Sequence, residues 1–209
     1  MKVKETSVQF GMTAAVVLAA GRSARMGRPK ALLPHIASGS TFLSHLVAAA
    51  HAAHALPILV VGRADDPDLQ AEVVRRGAVF VENREASRGQ LSSVLAALDS
   101  FGPAVPDAML LLPVDVPMIT PAVLGQLMAA AKSSSASIVR AACHGRHGHP
   151  VLFKRTVFDD LRTADPSVGA RSVVRADPSR VLDVETGDPG VLVDVDTPED
   201  YLRVFGRPL

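Results

Sequence analysis

Cysteine is almost missing from this chain. Cys143 is the only one among 209 residues, so no disulfide can form within it, which fits a reducing compartment. Neither sign of charge is in surplus: 22 Lys and Arg against 21 Asp and Glu leave a formal net charge of +1. Any basic stretch is therefore a local feature and not part of a nucleic-acid-binding face. No apolar run reaches the length of a membrane span. Internal repeats, low-complexity tracts and obvious linkers are also missing, so one domain over 1–209 is expected, with 1–12 as an N-terminal extension. Lys2 and Lys4, followed by apolar residues ending in Leu18-Ala19-Ala20, imitate a secretory signal. Glu5 and Gln9 interrupt it, and the apolar run leads straight into a charged loop, so a cytoplasmic protein is expected. With 48% apolar and 21% charged residues, the composition is that of a globular chain able to bury a substantial core.

What is present is an alternation of apolar strands and amphipathic helices. Strands are expected at Ala14–Leu18, Ile58–Val61, Ala78–Val81, Ala108–Leu112 and Ser137–Ala141. Between them, Thr41 caps a helix with Phe42, Leu43, Leu46, Val47 and Ala50 on its apolar face, and Asp68–Arg76 reads as a short helix. Leu91, Val94, Leu95 and Leu98 mark another stripe. Thr120-Pro121 opens a helix, and Thr197-Pro198-Glu199-Asp200 begins a last one containing Tyr201. This alternation predicts an α/β fold with a mostly parallel central sheet and helices on both faces. Ligands in such sheets gather at the carboxyl ends of strands.

The loop leaving the first strand, Gly21-Arg22-Ser23-Ala24-Arg25-Met26-Gly27-Arg28-Pro29-Lys30, holds three arginines and a lysine. It is neither Gly-x-Gly-x-x-Gly nor a P-loop ending in Gly-Lys-Ser/Thr. Gly21 and Gly27 have no Cβ to keep backbone N–H groups from an anion. Arg25 as a fork and Lys30 as a point charge can neutralise β- and γ-phosphates, so a nucleoside triphosphate site is expected. Asp115, just past the apolar strand and stiffened by Pro117, can hold Mg²⁺, which keeps several waters and takes one or two protein oxygens. An Asx turn or a cap before Thr120 is the plainer reading of the same residue. Asp194 or Asp196 can supply a second carboxylate, although part of that cluster must cap the last helix. Cys143-His144-Gly145-Arg146-His147-Gly148-His149 carries ligand residue types without the separated pairs of a structural zinc site. It reads as a flexible substrate loop containing Arg146 and His149, with Cys143 as a small core residue. His45, His51 and His54, placed on the first helix, form no ligand set.

Taken together these segments resemble the molybdenum cofactor nucleotidyltransferase family (MobA-like NTP transferases), and within it most the cytidylyltransferase (MocA-like) branch. Leu18–Lys30 is similar to that family's Leu-Ala-Ala-Gly-x-Ser-x-Arg-Met-Gly-x-x-Lys opening, followed by Leu32-Leu33-Pro34. Asp115-Val116-Pro117 resembles its Asp-x-Pro metal motif, and Gly148-His149-Pro150-Val151-Leu152-Phe153 its substrate-side segment. Asp194–Asp200 resembles its Asp-x-Asp-Thr-Pro-Glu-Asp close. Two departures stand out: Glu85-Ala86-Ser87-Arg88 has no aromatic, and Pro166-Ser167-Val168-Gly169-Ala170-Arg171 lacks the family's acidic residue.

The resemblance implies a Rossmann-like, GT-A-like nucleotidyltransferase. It would transfer CMP from CTP to the phosphate of molybdopterin or its molybdenum-loaded form and release pyrophosphate. It implies catalytic Arg25, Lys30 and Asp115, with Asp115 and Asp196 on Mg²⁺. The nucleotide would meet Leu18, Ala19, Ala20, Gly21, Arg22, Ser23 and Gly27, with Gly89, Ser92 and Ser93 beside base and ribose. The acceptor would meet His149, Pro150 and Arg171. Ala20, where guanylyl-transferring relatives have Gly, points to CTP over GTP. Transient contact with a molybdoenzyme or its maturation chaperone is also implied, and neither nucleic acid nor membrane is an expected partner. Another phosphorylated acceptor, such as a sugar phosphate or cofactor precursor, is the alternative within the same chemistry. A non-catalytic nucleotide- or pterin-binding accessory is the alternative outside it, and the Arg25, Lys30, Asp115, Asp196 set argues against that.

Overall fold

A computed structural model of the chain describes residues 11–209, so Lys2, Lys4, Glu5 and Gln9 and most of the expected 1–12 extension lie outside the described residues. In chain order the strands of the main sheet are β1 (Thr13–Leu18), β2 (Ile58–Gly62), β3 (Val79–Glu82), β4 (Ala108–Pro113), β5 (Ile138–Cys143), β6 (Arg146–Lys154) and β7 (Val181–Glu185). The α-helices are α1 (Phe42–Ala52), α2 (Pro67–Arg75), α3 (Gln90–Ser100), α4 (Pro121–Ser133), α5 (Phe158–Arg162), α6 (Arg171–Ala176) and α7 (Pro198–Phe205). The sheet has seven strands in the order β3-β2-β1-β4-β6-β5-β7. Every neighbouring pair is parallel except those made by β6, which runs antiparallel to both β4 and β5. This is the mostly parallel, Rossmann-like α/β architecture expected.

β1 and β4 lie at the centre, and every residue of each is buried. Alternation along β1 sends Ala15 and Val17 to a core shared with α1, α2, α4 and α7. Ala14, Val16 and Leu18 go to a second core under α3, α5 and α6. Each such Val or Leu contributes about 1.5–3 kcal/mol relative to exposure, so the two central strands are the least movable part of the fold. Thr41, Thr120 and Thr197 cap α1, α4 and α7, each hydroxyl accepting from an N–H in the first turn.

Two expectations need correction. The segment Cys143–His149 is not a flexible loop but a tight hairpin: Cys143 pairs with Arg146, and His144 and Gly145 turn the chain at φ +50° and +71°. Positive φ at both central residues matches the twist of the flanking strands, and Glu185 braces the turn by accepting from the N–H groups of His144 and Gly145. His54 is not on α1, which ends at Ala52; it follows the helix at φ +58°. His45 and His51 are satisfied, reaching the carbonyls of Ile119 and Arg76 at 2.9 and 3.3 Å.

Candidate active site

The loop after β1 is folded by its own backbone. Met26 and Gly27 donate to the Ser23 carbonyl at 3.0 and 3.1 Å, and the Ser23 hydroxyl accepts from the Lys30 N–H at 3.2 Å. Met26 is buried, and Arg25 and Lys30 both reach Asp196. The carboxylates come from far along the chain. Val114 donates to the Leu18 carbonyl at 3.2 Å, holding the Asp115 turn beside β1, and Val195 donates to the Asp115 carbonyl at 2.8 Å. The segment preceding α7 is fixed from its other side: Tyr201, fully buried, donates from its hydroxyl to the Pro34 carbonyl at 2.8 Å. Asp200 completes a capping box with Thr197 and also accepts from the Asp196 N–H.

These tethers bring opposite charges together. The Lys30 ammonium contacts Asp196 and stands 3.5 Å from Asp115, while Arg25 pairs with Asp196 at 2.9 Å. The hydrogen bond from Lys30 holds the Asp196 carboxyl below the usual carboxylate range, with the charges of Lys30 and Arg25 adding to it and burial opposing. Asp194 moves the other way: burial raises it first, then the negative charges of Asp115 and Asp196.

Two cavities meet here. One, of about 350 Å³, is lined by Leu18, Ala19, Ala20, Gly21, Ser23, Arg25 and Lys30, and by Gly89 and Ser93 across from them. The other, of about 510 Å³, is lined by His149 and Arg171 among others. Asp115 and Asp196 line both. Eleven of the residues singled out from sequence therefore share the first cavity. Arg22 and Gly27 do not line it, and neither does Ser92, whose hydroxyl donates to the Gly89 carbonyl and accepts from Asn83. Asn83 also donates to Ser93, so this buried amide fastens α3 to the end of β3. Pro150 is buried and lines neither cavity.

Sequence reasoning missed Asp66, which caps α2 and lines the first cavity, and Arg140, His147 and Arg175 in the second. Arg175 had a signal: it lies four residues beyond Arg171, one turn along the same helix face. Burial lowers the His149 pKa, opposed by the charge of Asp115 and helped by that of Arg171. Its Nδ1 is buried without a hydrogen-bond partner.

Asp115 and Asp196 suit a divalent cation. Among the described residues no group of three or more His, Cys, Asp or Glu side chains could hold a metal, so an all-protein cage is not what is offered. Two carboxylates close enough to share one ammonium could supply two oxygens to a hard cation that keeps most of its shell as water.

Residues 15–181 match the family model described as the MobA-like NTP transferase domain. The purine catabolism protein PucB of Bacillus subtilis is 29% identical over 195 residues, covering 89% of this chain and 92% of that protein. A stretch of 30 residues, 14% of each chain, is 73% identical to a probable molybdenum cofactor guanylyltransferase of Rhodopirellula baltica. Among solved structures, that of Rv0371c from Mycobacterium tuberculosis superposes with a TM-score of 0.76 at 29% identity, over 94% of this chain and all of that one. A structure of Rv0371c in complex with manganese superposes at 0.70 with 28% identity, over 94% of this chain and 99% of that one.

Proposed function

Since this chain belongs to the MobA-like NTP transferase family, we propose that it moves a cytidylyl group from CTP to the phosphate of molybdopterin or its molybdenum-loaded form. An acceptor phosphate oxygen attacks the α-phosphorus of CTP, the bond from that phosphorus to the bridging oxygen breaks, and pyrophosphate leaves. No protein nucleophile is needed, because positioning and charge neutralisation carry such transfers. One observation carries the reading: Asp115 and Asp196 stand on the shared wall of two cavities, one bordered by the glycine loop and the other by arginines.

In this reading Gly21 and its neighbours present backbone N–H groups to the triphosphate, and Arg25 and Lys30 stabilise the departing pyrophosphate. Gly89 and Ser93 border the nucleoside. Arg171 and His149 hold the acceptor in the second cavity, with Arg140, Arg146 and Arg175 adding positive charge there. Asp115 and Asp196 would hold Mg²⁺, which would supply neutralisation of phosphate charge. The manganese complex of Rv0371c supports a divalent cation, and the Rhodopirellula relative supports a molybdenum cofactor acceptor. Ala20 supports CTP, because its methyl occupies cavity wall that a glycine would leave open to a larger purine.

The test is a matrix of CTP and GTP against molybdopterin and a panel of sugar phosphates, scored by pyrophosphate formation. Turnover with CTP and molybdopterin above every other pair is the expected result. Preferred turnover with a sugar phosphate would replace the acceptor, and nucleotide binding without pyrophosphate would leave only a carrier.

A further inference from the structure

Lys30 is the only buried Lys or Arg among the described residues, at 9% exposure. Its ammonium meets Asp115 and Asp196. Arg25 shares the load on Asp196, but 71% of its side chain is exposed and water screens it. One buried ammonium is thus shared between two carboxylates. A divalent cation settling on Asp115 and Asp196 must take the place of that ammonium, and a buried ammonium stripped of its partners is costly unless another anion receives it. The first cavity is where such an anion would lie, since Lys30 lines it together with Gly21 and Arg25.

We propose that Lys30 is a built-in competitor of the metal. It is an exchangeable counter-ion that keeps Asp115 and Asp196 from taking a free divalent cation until a triphosphate draws the lysine away. The metal is thereby accepted together with nucleotide. The inference rests on the reading above only in placing the metal on Asp115 and Asp196.

The experiment is a titration of Mn²⁺ alone into the full chain, followed by electron paramagnetic resonance, with neither nucleotide nor acceptor present. Lys30→Met and Lys30→Gln should each bind Mn²⁺ about tenfold or more tightly than the unaltered protein, within the usual range of coupling between sites. Adding Asp115→Asn to either variant should remove the gain. Equal or weaker binding by the folded variants overturns the proposal. If neither variant folds, the unaltered protein decides. Mn²⁺ raised far enough to outcompete the ammonium should then speed acetylation of Lys30, read by mass spectrometry against the exposed Lys132, and a rate unchanged at saturating Mn²⁺ overturns the proposal. Because no measurement contains CTP or acceptor, loss of the transfer reading through absent pyrophosphate release is a separate outcome.

Discussion

At the ends of the parallel strands β1 and β4, charge is already matched: Lys30 and Arg25 rest on Asp196, and Lys30 reaches Asp115. Around the hairpin of β5 and β6 it is not. Arg146, Arg171 and Arg175 line the second cavity with no carboxylate partner among the described residues, while Arg140 is held by both oxygens of Asp183 at 2.8 and 3.2 Å. Beside them the His149 pKa is lowered, first by burial, with Arg171 adding to that and Asp115 opposing. Cations and carboxylates in contact suit a ligand pair of both signs, a metal with a triphosphate. Guanidinium groups left unpaired in a cavity suit an anion alone. In the proposed reaction the two halves would divide donor from acceptor by charge pattern, with Asp115 and Asp196 lining both cavities.

The largest break in that comparison is at the boundary itself. Asp115→Ala should lower pyrophosphate release with CTP by about 100-fold or more, as loss of one charge-stabilising group at a reacting phosphate does. Its melting temperature should stay close to that of the unaltered protein, because the tethering contact from Val195 uses the Asp115 backbone carbonyl. Undiminished turnover would reject the metal assignment. Next comes Gly148→Ala on β6, where an added Cβ would collide with the Val191 carbonyl, a backbone atom that cannot swing aside. A loss of about 1–3 kcal/mol in denaturant unfolding is expected. CTP binding by the folded fraction, measured calorimetrically, should survive, because the first cavity does not include β6. A mirrored pair then sharpens the contrast. Arg171→Ala should raise the acceptor KM about tenfold at unchanged CTP KM, and Arg25→Ala should do the reverse, each by loss of one charge-assisted contact. Steady-state kinetics with each substrate varied in turn would show it; both variants moving the same constant would erase the division.

The matched half was far more legible in the sequence than the unmatched one. Gly21, Lys30, Asp115 and Asp196 lie in short segments where residue type and local spacing carry the chemistry, and Thr41, Thr120 and Thr197 announce helix starts by their side chains alone. The second half depends on partners distant in sequence. The hairpin was hidden because His144, at positive φ, stands where Asn or Asp is the stronger turn signal. Arg140 joins the second cavity only because β5 and β6 pair, and its clamp on Asp183 crosses to β7, which no local pattern announced. Ser92 and Ser93 sit side by side in sequence, yet only Ser93 lines the cavity, since adjacent residues on a helix point about 100° apart.

The finest test concerns a single methyl group within the matched half. Ala20 borders the first cavity and is itself only 7% exposed, so its Cβ is packed into the wall. Removing it opens the cavity by about one methyl and frees the backbone at 20 as well as 21. In a pocket built on shape, one methyl or methylene discriminates by about 1–3 kcal/mol. Because the wall can relax toward the space, the lower end applies. Ala20→Gly should therefore shift the ratio of kcat/KM for CTP over GTP about fivefold to tenfold toward GTP, with the acceptor KM unchanged. A shift in the acceptor constant instead would mean that Ala20 acts through the Asp115 turn, which is held to the same stretch of chain by the Leu18 carbonyl, and not through the base.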